Sequence, residues 1–286
     1  MISVVINTLN EELNLGRALA SVRELADEMV VCDLGSTDRT LEVARKYGAK
    51  IFHFKNPGYV EPARNFAIAK AKGDWILVLD PDEEISQSLS LSLRKIVKKP
   101  TADYYRLPRQ NIIFGKWVRH SRWWPDYNIR FFKKGYVSWN EMIHAVPVTQ
   151  GKGIELPAKE NLAIIHHHYA SLEEYLEKMN RYTSVQAEEL LKNGYVFSWE
   201  DVIKKPLREF LSRFFAGQGY QDGVHGLALC LLQVFSEVVL YLKIWQKQGF
   251  KESYPTKSEL KAEINQGIRE LKWWLRKELS WLKFLK

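Results

Sequence analysis

The chain predicts an α/β fold, a parallel sheet with helices on both faces, with a helical extension at its C-terminal end. Three observations carry that expectation. Apolar runs of four to seven residues alternate with amphipathic helical stretches through the first hundred residues. Alternation of this kind with short connections builds a parallel sheet with helices on both faces. Beyond residue 101 the apolar runs become short strands set among Arg- and Trp-rich loops, and from Leu172 onward helical periodicity takes over.

Each element has its own reason. Ile2–Ile6 is apolar throughout, as a strand buried on both faces must be. Asn10 is placed to cap a helix that carries Leu13, Ala18, Leu19 and Val22. Glu28–Asp33 is a second strand, and Gly35-Ser36-Thr37-Asp38 turns the chain into a helix over Leu41–Tyr47. Lys50–Phe54 is a third strand, followed by a helix over Glu61–Lys72 that Gly73 ends. Trp75–Leu79 is a fourth strand running into Asp80-Pro81-Asp82-Glu83, and Ser86–Val97 is helical. Tyr104–Leu107, Ile112–Phe114, Ile129–Phe132 and Ala145–Val148 read as short strands. Helices over 172–192, 199–216, 224–247 and 258–285 complete the chain. The expected domains are 1–170 and 171–286.

Composition excludes several classes. With 46% hydrophobic residues among 286, the chain can bury a real core. Cys32 and Cys230 form no CxxC pair, which excludes a disulfide scaffold or a structural zinc module and points to a reducing compartment. The start, Met-Ile-Ser-Val-Val-Ile-Asn, has no basic segment of a secretory signal. The net charge of +8 is uneven. Residues 1–100 are neutral, 101–135 hold eight Lys/Arg against two Asp/Glu, and 257–286 hold eight against four. A nucleic-acid binder would spread its charge differently, so no nucleic-acid partner is expected.

Ligands of such sheets bind beyond the carboxyl ends of the strands. The polar groups fall there: Thr8, Asn10 and Glu11 after the first strand, Asp33 after the second, Asp80 and Asp82 after the fourth. Two carboxylates two residues apart can face one hard cation, Mn²⁺ or Mg²⁺, that also takes phosphate oxygens. The alternative is a turn that uses Asp and Pro for its geometry. Asp33 suits a hydrogen bond to a base or ribose; the alternative for its segment is a helix cap by Ser36 or Asp38. Arg64 opens the helix before the fourth strand and is either exposed or a phosphate contact. Residues 106–134 set Arg119, Arg122 and Arg130 among Trp117, Trp123 and Trp124. Arg grips phosphate and indole packs on sugar, so a phosphorylated glycolipid acceptor fits; a solvated basic loop is the alternative. His166, His167 and His168 alternate faces on a strand, so they cannot all meet one ion. Val224–Trp245 is apolar, but His225, Gln233 and Glu237 argue against a spanning helix. Leu260, Ile264, Ile268, Leu271, Leu275, Leu279 and Leu282 form a stripe beside cations and Trp273, Trp274 and Trp281. That composition fits a helix on an anionic membrane surface, or one packed on protein.

Four segments, NTLNEELNLGRALASV, VVCDLGSTDRT, ARNFAIAKAKGDWILVLDPDEEI and WWPDYNIRFFKKG, resemble those of inverting family 2 glycosyltransferases of GT-A fold, with a Rossmann-like mixed sheet. The group most similar is the lipopolysaccharide core β-1,4-glucosyltransferases. The resemblance implies that Thr8, Asn10, Glu11, Asp33, Arg64 and Asp80 bind the nucleotide-sugar, with UDP-glucose the expected donor. It implies that Asp80 and Asp82 form the DxD motif that holds a divalent metal. The expected enzyme is peripheral on the cytoplasmic face of the inner membrane and glycosylates an envelope glycolipid. The rivals are a polyprenyl-phosphate glycosyltransferase and a non-catalytic membrane scaffold of the same fold. An acceptor hydroxyl needs a general base on the face opposite the leaving diphosphate. The related group implies a His-Glu pair, yet Ala145 follows His144 here. Asp126, Glu141 and His144 are the candidates for the base.

Overall fold

A computed structural model describes residues 1–56, 61–139 and 147–278. The chain forms two compact units, Met1–Ile112 with Trp124–His168, and Ile113–Trp123 with Tyr169 onward. Residues 113–123, expected in the first domain, fold with the second.

In the first unit, β1 (Ile2–Thr8), β2 (Glu28–Asp33), β3 (Lys50–His53) and β4 (Trp75–Leu79) alternate with α1 (Leu15–Val22), α2 (Thr40–Lys46) and α3 (Glu61–Lys70). These strands run parallel, so their carboxyl ends share one edge. Next come β5 (Glu83–Ile85), α4 (Gln87–Lys98) and β6 (Tyr104–Ile113). β7 (Lys116–Trp117) belongs to the second unit. The first unit resumes with β8 (Asp126–Lys133), the small pair β9 (Val137–Ser138) and β10 (Val148–Thr149), β11 (Gly153–Glu155) and β12 (Ile164–Tyr169). The sheet order is β3-β2-β1-β4-β8-β6-β12-β5. β8 is antiparallel to β4, so it begins where β4 ends.

Strand alternation splits the core into two layers. Val4, Ile6, Trp75, Leu77 and Leu79 face a cluster with α1 and α4. Val5, Ile76 and Val78 face the other, with Ala63, Ala67 and Trp139. Ser86 caps α4 by accepting the Leu89 N–H. Four expectations change. Asn10 does not cap α1, which starts after Asn14; its φ is +54° and its side chain serves a neighbouring loop. Tyr104–Ile113 is one strand rather than two, because its polar residues face partners instead of solvent. The strand expected over Ile129–Phe132 begins earlier, at Asp126. Of the strand expected over Ala145–Val148 only Val148 is seen in one, at the start of β10; Pro147 is outside it, and Ala145 and Val146 lie outside the described residues.

The second unit is helical: α5 (Leu172–Lys192), α6 (Asp201–Phe210), α7 (Val224–Lys247) and α8 (Lys257–Glu278). α6 runs into a π-helical turn at Leu211–Ala216, which ends the regular helix earlier than expected. Polar positions of α7 turn inward. Gln233 donates to the Tyr175 hydroxyl at 2.7 Å, and Lys243 donates to Thr183 and Ser184 on α5.

Candidate functional site

The loops after β1 and β2 brace each other at the shared edge. Asn10 Oδ1 accepts the Thr37 N–H at 2.8 Å, and the Asn10 N–H donates to Ser36 Oγ at 2.9 Å. The Glu11 N–H donates to Thr40 Oγ1 at 2.7 Å. Asp33 is buried and accepts the N–H groups of Gly35 and Ser36, with His53 Nδ1 3.3 Å away. Burial pushes its carboxyl up, but the Ser36 and Gly35 hydrogen bonds outweigh that and hold it below the usual carboxylate range. Asn7 Oδ1 and Thr8 Oγ1, at the end of β1, are buried acceptors with no hydrogen-bond partner among the described residues, and the buried Nε–H donors of Arg64 and Arg130 likewise have none.

At the end of β4 lies a row of alternating charges. Asp80 accepts from Arg64 at 2.7 Å and from Arg130. Arg130 also reaches Glu83 Oε1 at 2.7 Å, which Arg109 meets at 3.2 Å. Arg109 closes on Asp126 with Nε and its terminal nitrogen at 2.8 and 2.6 Å. The order is therefore Arg64, Asp80, Arg130, Glu83, Arg109, Asp126. Strand register explains it. Arg109 pairs with Asp126 across β6 and β8, and His166 pairs with Glu83 across β12 and β5. The β6–β8 pairing steps from Tyr105–Phe131 to Arg106–Ile129, so Arg130 is the extra residue of a β-bulge. Bulges re-aim side chains in this way. Arg130, expected to contact the acceptor, is instead 3% exposed and held by Asp80 and Glu83.

Burial would raise the carboxyl of Asp80, yet Arg130 and Arg64 hold it well below the usual range. Asp126 follows the same logic with Arg109, and Asn111 and Asn128 donate to it at 3.2 and 3.1 Å. A carboxylate so held is a poor proton acceptor near neutral pH. Glu141 and His144, the other candidates for a base, lie outside the described residues.

Asp82 stands apart from the row. Its Oδ2 is 3.4 Å from His166 Nε2, which in turn lies 3.1 Å from His168 Nδ1. Asn111 fixes His166 through Nδ1 at 2.6 Å. His167 points the other way, to Glu84 at 3.0 Å, as strand alternation requires. The described residues hold no ready cluster of three or more metal-ligating side chains. The donor chemistry still fits a divalent ion at Asp82 and His166, since carboxylate suits Mn²⁺ and imidazole is a ligand of divalent transition metals. Asp80 has both oxygens engaged by arginines.

Sequence reasoning counted Arg109 among the acceptor-segment cations, whereas it holds Glu83 and Asp126, and it missed Glu83 and Asn111 as parts of this site. The signal for Glu83 was a third acid after a buried strand. Asn65 was also missed: its amide bonds both the N–H and the carbonyl of Trp139, at 2.9 and 2.6 Å, and Arg64 lies 5.6 Å above that indole.

The acceptor candidates divide between the units. Trp124 lies in the first, while Arg119, Arg122 and Trp123 lie in the second. There Arg119 stacks 3.7 Å above Trp117, Arg122 donates to Ser212, and Arg213 lies 5.8 Å over Trp123. Asp222 holds the segment by accepting the Arg119 and His120 N–H groups at 3.1 and 2.8 Å.

Residues 3–149 match the family described as Glycosyl transferase family 2. An uncharacterized glycosyltransferase of Rickettsia typhi is 31% identical over 252 residues, 85% of this chain and 86% of that protein. The lipopolysaccharide core biosynthesis glycosyltransferase LpsC of Rhizobium meliloti is 23% identical over 258 residues, 87% and 94% of the two chains. The crystal structure of S. aureus TarS 1–349 in complex with UDP is similar with a TM-score of 0.47 and 17% identity, over 90% of this chain and 94% of that one. The family match and the Rickettsia relative together show that this chain belongs to glycosyl transferase family 2.

Proposed function

We propose that this glycosyltransferase moves a hexose, glucose from UDP-glucose, onto a phosphorylated envelope glycolipid such as the lipopolysaccharide inner core, inverting the anomeric carbon. The observation that carries the reading is Asp82, a carboxylate outside the neutralised charge row and beside His166. Asp82 and His166 would hold a divalent ion, which when bound supplies positive charge for the leaving diphosphate. The chain's own residues do the rest. Asp80 and Glu83 fix Arg130 and Arg64 at the strand ends, where guanidinium charge favours a diphosphate. Asn7 Oδ1 and Thr8 Oγ1 offer acceptors that a bound nucleotide would satisfy. On this reading Asp126 anchors Arg109. The name of the LpsC relative supports the acceptor class.

α8 supports work at a membrane surface. It packs through Glu263 on Lys204 at 3.0 Å and through Trp274 stacked on Phe215. Its apolar Leu260, Ile264, Ile268, Trp273 and Leu275 stay exposed beside Lys261, Arg269, Lys272 and Arg276. Leu279, Trp281 and Leu282 lie outside the described residues. An apolar stripe turned from the protein and edged by cations suits an anionic bilayer.

The test is a panel of nucleotide-sugars with Mn²⁺, reading nucleoside diphosphate release. UDP-glucose should be consumed fastest, and Asp82→Ala should lower the rate by about 100-fold or more. Equal release from Asp82→Ala would refute the site, and a different preferred donor would replace UDP-glucose.

A further inference from the structure

The second unit carries a groove of about 630 Å³ that the transfer chemistry does not use. Phe114, Ala170, Leu172, Ala228, Leu231 and Leu232 line it, with Ser171. Its polar groups are already engaged. Ser171 Oγ accepts the Glu174 N–H as the cap of α5, and the Ala170 N–H donates to Glu174. The Phe114 N–H donates to the Tyr169 carbonyl, and His225 meets the Phe114 carbonyl at 3.3 Å. A ligand here finds van der Waals surface rather than hydrogen bonds, which selects hydrocarbon.

Two further observations narrow the occupant. The groove continues onto the outer face of α7, where Val224, Leu227, Leu231 and Phe235 follow at helical spacing and remain exposed. α7 is long and apolar enough to cross a membrane, yet only 28% of its most apolar stretch is buried. At the other end, Phe114 leads directly into the cationic segment with Lys116, Arg119 and Arg122. Asp222, just before α7, ties that segment down: its carbonyl accepts Lys116 Nζ at 2.8 Å and its carboxylate accepts the Arg119 N–H. Cations for a phosphorylated head and a groove for a chain thus share one end of α7, within one unit.

We propose that this groove binds the hydrocarbon chain of the glycolipid acceptor, with the head group on the 116–122 segment. The proposal rests on the acceptor class given above and adds that the protein, not only the bilayer, holds the lipid tail. The experiment titrates the full chain with n-alkyl phosphates from octyl to octadecyl, each below its micelle concentration, by calorimetry. Affinity should climb by up to about fourfold per methylene while the chain fills the groove, then level off. Ala228→Trp, which fills the groove, should abolish the climb while far-UV circular dichroism and resistance of α7 to proteolysis, the controls for folding of the second unit, are retained. Affinity independent of chain length in the unmodified protein overturns the proposal, as does a climb that survives Ala228→Trp. So does self-association that masks the groove, seen as a concentration-dependent dimer by sedimentation. If Ala228→Trp loses vesicle binding but keeps KM for a long-chain acceptor in detergent, the groove holds a membrane lipid and the acceptor assignment falls. Failure to bind any UDP-sugar would defeat the donor reading alone, because the chain-length series does not depend on it.

Discussion

Glu83→Gln probes the charge row at its centre. Glu83 has no exposed surface; Oε1 accepts Arg130 at 2.7 Å and Arg109 at 3.2 Å, and Oε2 accepts the Asp80 N–H at 2.9 Å. The amide keeps the volume and one acceptor but removes the charge that two buried guanidiniums share. Neutralising one partner of a buried pair costs about 3–5 kcal/mol. Arg130 keeps Asp80 and Arg109 keeps Asp126, so the lower end, about 3 kcal/mol, is expected. At about 2–4 °C per kcal/mol this is a fall in Tm of roughly 6–12 °C. Asp126→Asn sits at the half-open end of the row and should cost only about 1 kcal/mol. A chain of two units need not melt in one step, so amide hydrogen exchange in β4 and β8 is the proper readout. If Glu83→Gln loses no more protection than Asp126→Asn, the row does not organise the site.

Three other outcomes follow from the same contacts. Asp126→Asn should keep diphosphate release within about tenfold of the unmodified enzyme, because a general base contributes about 100-fold or more and Asp126 is held by Arg109; a 100-fold fall would make it the base. Burial would raise the Glu28 carboxyl, but Lys50, the Lys72 N–H and Ser3 bring it to about 2 from an ordinary 4.5. Its folded pKa is depressed, so its contribution, about 3 kcal/mol, is complete above pH 4.5 and vanishes as pH falls toward 2; urea midpoints of Glu28→Gln should depend less on pH across that window, and parallel curves would refute this. A Cβ on Gly226 would stand 1.8 Å from the Gly219 carbonyl oxygen, so Gly226→Ala should destabilise the second unit by about 3 kcal/mol, visible as faster proteolysis near α7.

Much of the fold is legible because burial writes itself into local pattern. WILVL and ISVVI are apolar on both faces because both faces of β1 and β4 meet a core layer. The limits of α5 and α7 follow from Ser171 and Gly223 at their starts. What stayed hidden depends on pairing between distant segments. β5 hides in an acidic stretch that reads as loop, since Glu83 is matched by arginines 26 and 47 residues away. The middle of β6, between the two strands read at its ends, hides for the same reason, its Arg109 and Asn111 being polar because they face Asp126 and His166. The bulge at Arg130 has no local signature, because it exists only as a mismatch between two strands.

The cationic excess of residues 101–135 therefore divides between the two units. Arg109 and Arg130 neutralise Glu83, Asp126 and Asp80 inside the first unit, and Lys133 pairs with Asp103 at 2.8 Å. Lys116, Arg119 and Arg122 belong to the second unit, and on the proposed reading they meet the phosphorylated acceptor. A second division separates the two aspartates of the DxD sequence. Asp80, gripped from both sides by guanidinium, organises positive charge at the strand ends. Asp82 lies beyond the row with imidazole for a neighbour, so an arriving cation meets a carboxylate whose charge the arginines have not cancelled. On the proposed reading the motif would work as an asymmetric pair, one acid holding the protein's cations in place and the other offered to a cation from solution.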